Sequence, residues 1–290
     1  MRNTCQIGTA NTAPSKCQKE MGKVMVAIVT PLNAEFTGLD SSQQPQTFDD
    51  WLEQGIHAAN PTNRFYPMPT FVGLDDNSSD NVTDTTPYGD ETVISEGKIN
   101  ITQQYSPDYC LTNRLHAFND NSPRRVIFID SNSNAWGTER GGVFKGYKMR
   151  IFASSKRPNT ADAITNPNIS YSSLSSDEWA RKGYRELEVD YDSIIGLENI
   201  ELVATDDGTN TNFIFVSECS NDDVTSEMQA MNSTAWLKNG TPMNNAPTYN
   251  NGVFTIDTLE VTDSKISIAD PSVLYSQGVV GKEVINSVEL

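Results

Sequence analysis

From Val126 to Ala153 the chain reads VIFIDSNSNAWGTERGGVFKGYKMRIFA. No other stretch limits the possible folds as much. Its apolar runs are short and closed by turn formers, so VIFI reads as one strand, AWG as a second and FKGYKMRIFA as a third. Within it, Asp130, Asn132 and Asn134 place oxygen-bearing side chains two residues apart, as a calcium loop does. Such a loop also needs glycine at its sixth position and glutamate at its twelfth. Counted from Asp130 these positions hold Ala135 and Gly141. The stretch is therefore expected to be a hairpin turn whose Asp and Asn side chains bond to nearby backbone, with no metal.

Similar signals recur along the chain. GKVMVAIVT, closed by Pro31, reads as a strand buried on both faces. TFDDWLEQGIHAAN predicts a helix capped by Thr47, with Phe48, Trp51, Leu52, Ile56 and Ala59 on one stripe, ending before Pro61. The proline-, asparagine- and aspartate-rich segment from Tyr66 to Asp90 reads as a long surface excursion, and its Asp75, Asp76, Asp80 and Asp84 as a solvated acidic loop. EGKINITQQY alternates Ile99, Ile101 and Tyr105 against polar residues, as a strand with one wet face does. Short helices are expected near Leu111 to Phe118, near Asp177 to Lys182, and after Asn221 with Val224, Met228 and Met231 on one side. KRPNTADAITNPNISYSSLSSDEWARKG has loop composition and is the expected domain boundary or a long insertion. Strands follow it, with turns at Asp207-Gly208, Asn239-Gly240 and Asn251-Gly252.

The expected class is β-rich α+β: an antiparallel β-sandwich or barrel with a flanking helix, plus a second β-rich region. Residues 1–21 form an N-terminal arm, 22–155 the core with its helix and long loop, and 156–290 a second β-rich domain or large insertion.

Composition removes several functions. A net charge of −17 would repel a phosphate backbone from most of the surface. No apolar run is long enough to span a membrane, and the first 20 residues lack the apolar core of a signal peptide, so a soluble protein made in a cytoplasm is expected. Cys5, Cys17, Cys110 and Cys219 have no metal-ligand spacing and read as buried free thiols; a Cys5–Cys17 bridge is geometrically possible but would not normally persist in a reducing cytoplasm. His57 and His116 have no nucleophile motif beside them, and no cofactor fingerprint occurs, so neither catalytic residue nor cofactor is expected. The cations of SPRRV and KGYKMR are too few for nucleic acid and are expected to meet carboxylates of a neighbouring subunit.

The strand ending in aspartate, the polar turn, the W-G strand and F-K-G-Y before an apolar strand resemble tail tube-like virion structural proteins of phages that infect Bacteroidetes. TYNNGVFTIDTLEVTDSKISIADPSVLYSQGVVGKE and the N-terminal NTCQIG are similar in style. The resemblance implies a non-enzymatic β-sandwich or small barrel that closes, six copies together, into rings. Those rings stack through an arm and a long loop into a channel that DNA passes without specific binding. It implies partners among other virion proteins, no membrane, and a virion assembled in the host bacterial cytoplasm. The helix from Thr47 would be the flank, the residues before Gly22 the arm, and Tyr66 to Asp90 the stacking loop. Trp136, Phe144 and Tyr147 are the expected interface residues. A capsid decoration or head-fibre protein, or a carbohydrate-binding or hydrolytic β-sandwich, are the alternatives.

Overall fold

The computed structural model describes residues 20–85, 88–154 and 165–290. The chain divides into two compact units. One holds the described residues up to Glu53 together with Phe65–Ile194, the other Gln54–Arg64 and Ile195–Leu290. The expected arm falls almost wholly outside the described residues.

The first unit contains strands β1 (Val24–Thr30), β2 (Tyr66–Pro67), β3 (Gly73–Asp76), β4 (Val82–Thr85), β5 (Glu91–Ser95), β6 (Asn100–Gln104), β7 (Pro123–Asp130), β8 (Asn134–Arg140), β9 (Val143–Lys145), β10 (Tyr147–Ala153), β11 (Asn168–Ser173) and β12 (Lys182–Glu186). Helix α1 (Phe48–Ile56) begins in it, and α2 (Tyr109–His116) and α3 (Ser176–Ala180) lie within it. Ten strands make one sheet ordered β12-β8-β7-β10-β11-β6-β3, with β1 and β2 joined at β7 and β9 at β8. Every pair in it is antiparallel, and the sheet curls into a half-barrel. The expected β-rich α+β class is what the chain adopts.

The local rules explain the main elements. Between Val24 and Thr30 only Met25 is not buried, as a β-branched run covered on both faces requires. Thr47 caps α1 by accepting from the Asp50 backbone N–H at 3.1 Å. Gly146 divides the expected long third strand into β9 and β10. A Cβ there would lie 2.8–2.9 Å from the Val126 backbone, so glycine allows β10 to close on β7. Val29, Val126, Phe128, Met149, Ile151, Ile169 and Tyr171 are among the residues of this unit's buried core. Burying each such side chain contributes about 1.5–3 kcal/mol.

The second unit carries β13 (Glu198–Asp206), β14 (Asn210–Ser217), β15 (Trp236–Lys238), β16 (Thr241–Pro242), β17 (Thr248–Asn250), β18 (Val253–Asp257), β19 (Lys265–Ile268), β20 (Lys282–Val284) and β21 (Ser287–Glu289), with α4 (Thr258–Val261) and α5 (Pro271–Ser276). They form a five-stranded sheet, β17-β18-β14-β13-β20, and a four-stranded one, β16-β15-β19-β21. The β13–β20 pair is parallel. Trp236 is central to the core, with ring centroids of Phe213, Phe254 and Phe215 at 5.2, 5.3 and 5.9 Å. Both Asn-Gly pairs turn hairpins with both residues at positive φ, 50° and 80° at Asn239-Gly240, which suits the strand twist.

Two expectations need correcting. The units separate at Ile194, not near residue 155, because Asn168–Ser173 is a strand inside the first sheet, between β10 and β6. Its serines made it look like loop, yet Ile169 and Tyr171 alternate with them and are fully buried. The segment after Asn221 forms a single tight helical turn at Thr225–Met228, although Val224, Met228 and Met231 are buried as expected.

Candidate assembly surface

The turn after β7 is built around Asp130, whose side chain has no accessible surface. One oxygen accepts from the backbone N–H groups of Asn132 at 2.9 Å and Asn134 at 3.0 Å and from the Asn134 amide at 3.2 Å. The other accepts from the Gly22 N–H at 3.0 Å and the Trp136 indole N–H at 2.7 Å. Burial alone would raise this carboxyl's pKa. The donors of Gly22, Asn134, Trp136 and Asn132 outweigh burial and hold it below the usual carboxylate range. Ser133 takes the positive φ that closes the turn, and Phe128 faces Trp136 across the hairpin.

Trp136, Phe144 and Tyr147, expected at an interface, are instead interior residues at 1%, 0% and 2% exposure. Trp136 is held by Asp130 and lies against Tyr184. Phe144 meets Phe48 edge to face at 5.4 Å, with the Arg185 guanidinium over its ring. Tyr147 lies tilted against Trp179, with ring centroids 4.2 Å apart. Strand register puts Trp136 and Tyr147 on the core face with Val126 and Phe128, and Phe144 on the opposite face, where Phe48 of α1 covers it; the sequence shows none of these pairings. The histidines serve the fold: His57 is buried, stacks on Tyr275 and accepts the Gly281 N–H at Nε2, and a ring nitrogen of His116 lies 2.9 Å from the Ser154 carbonyl oxygen.

The cations of the two basic runs divide. Arg125, nearly buried, bonds the carbonyls of Leu32 and Gly146 and pairs with Glu178 at 3.3 Å. Arg124 pairs with Asp120 at 2.7 Å, and Lys145 with Glu35. Lys148 and Arg150 have no carboxylate partner among the described residues. They alternate with buried Met149 and Ile151 on β10 and so share its outer face with Phe152, which is 58% exposed.

The excursion between β2 and β6 is more ordered than a loop. β3 adds to the edge of the sheet at β6, and β4 and β5 pair only with each other. Every described residue of that hairpin is exposed, including Val82, Val93 and Ile94 at 54%, 57% and 66%, and Tyr88 near its tip reaches 95%. From Asp80 to Glu96 it carries five carboxylates and no lysine or arginine. Of the cysteines, Cys110 and Cys219 both stand in disulfides, so the free-thiol expectation fails for them; scattered positions in sequence gave no sign of it. Cys5 and Cys17 lie outside the described residues. No group of residues with metal-ligand geometry occurs among the described residues, and no helix among them is long and apolar enough to cross a membrane. Comparison with protein-family models, curated proteins and solved structures returns no match.

Proposed function

We propose that the chain is a non-enzymatic phage virion subunit, a tail tube or tube-like ring protein that assembles with copies of itself around a channel for DNA. The observation that carries this reading is the β4–β5 hairpin. A two-stranded hairpin alone is marginal in water, and this one exposes Val82, Tyr88, Val93 and Ile94 on the segment expected to stack rings. Such an element gains its stability from a neighbour. The resemblance at AWG and FKGY supplies the kind of neighbour, and a net charge of −17 suits a wall along which phosphate must slide.

Microscopy and light scattering of the purified chain test the proposal. Hexameric rings or tubes with an open channel, forming as concentration rises, are the expected result. Trimers or monomers that bind only to capsids would point to a decoration protein instead. A carbohydrate-binding sandwich is less well supported, because the exposed aromatics among the described residues, Tyr88 and Phe152, sit on separate elements rather than in one groove.

A further inference from the structure

Among the described residues, the first unit carries two unpartnered surfaces of opposite chemistry. One is the acidic, apolar hairpin of β4 and β5; the other is the outer face of β10, where Lys148, Arg150 and Phe152 stand in a row. Both are exposed in the same chain. They sit on opposite sides of β11 and β6 in the strand order, and the hairpin is joined to the β3–β6 edge. Neither therefore satisfies the other within one molecule.

We propose that the β4–β5 hairpin of one copy docks on the β10 outer face of the next, with Val93 against Phe152 and Glu91 against Arg150. The spacing fits. Glu91 and Val93 are two residues apart on one face of β5, and Arg150 and Phe152 two apart on one face of β10, about 7 Å in each case. Lys148 extends the positive end of the row. An aromatic exposed on an inner strand of a sheet, preceded on the same face by two cations without carboxylate partners among the described residues, is a surface that needs an acidic and apolar cover. The chain's own hairpin has that composition. Because the two patches differ, the contact is heterologous, and repetition closes a ring or extends a filament.

This inference rests on the self-assembly reading and specifies its contact. Glu91→Lys and Arg150→Glu, made separately, each place like charges together and should lower the association constant at least about tenfold. The double variant Glu91→Lys/Arg150→Glu restores opposite charges between copies and should recover assembly, which a folding defect would not do. In parallel, a photo-reactive p-benzoylphenylalanine in place of Ser95, which shares the face of Glu91 and Val93 on β5, should form intermolecular adducts that map to the peptide around Arg150 and Phe152. If wild type and both single variants assemble equally, or if adducts map elsewhere, this contact is wrong while self-assembly stands. If wild type remains a monomer at every concentration, both fall. Adducts only to a different protein of a particle would also overturn it.

Discussion

Asp130 has no surface in water, and all five of its donors are uncharged groups, three of them from Asn132 and Asn134 of its own turn. That arrangement makes it the tie between the start of β1, the β7–β8 turn and Trp136. Asp130→Asn aims an amide N–H₂ at N–H donors and should cost about 2–4 kcal/mol by chemical denaturation at pH 7. The carboxyl's folded pKa is depressed, so its contribution is complete above the unfolded value of about 3.9 and is lost as pH falls through the lower folded value. Wild type and variant should therefore converge in stability only below about pH 4. Trp136→Phe keeps a phenyl ring but loses the indole N–H and part of a buried bicycle, with an expected loss of about 2–4 kcal/mol and no change in assembly. An assembly defect without a stability loss would return Trp136 to an interface. The Asp130 spacing that suggested a cation site was legible as a turn, because the glycine and glutamate of a calcium loop are missing. Its indole donor was not legible, since hairpin register decides which side chains face each other.

Among the elements, the strands written in Val, Ile, Phe and Tyr were readable from alternation, as were the Thr47 cap and the Asn-Gly turns. Gly240 holds a φ of 80°, so Gly240→Ala should lose about 1 kcal/mol from strain alone, measurable as a lower midpoint of denaturation. β11 was hidden because serines on its outer face imitate loop composition, and the divide at Ile194 was hidden with it. The β4–β5 hairpin was hidden for a related reason: its aspartates and threonines bury nothing, so no periodic signal marks it. An element that buries nothing at home and still exposes valine and isoleucine is better explained by contacts made elsewhere than by folding.

For the molecule as a whole, charge and redox state set the expectations. With a net charge of −17, the purified chain should leave duplex DNA unshifted in a gel at physiological salt; retention of DNA would contradict a channel wall that repels phosphate. The disulfides at Cys110 and Cys219 suit an oxidising setting, which on the proposed reading is a particle outside the reducing cytoplasm. Neither cysteine should react with a thiol reagent in mature particles, and a reductant should lower the melting temperature; labelling of both without reductant would show them free. The central claim is that the exposed hairpin joins one copy to another. Val93→Asp/Ile94→Asp alters two side chains that are exposed in the single chain, so the melting temperature of the monomer should hardly move. Sedimentation velocity of this variant beside wild type across a concentration series is the most direct measurement. The account predicts that wild type sediments as rings or longer assemblies and the variant as a monomer; equal assembly by both would contradict it.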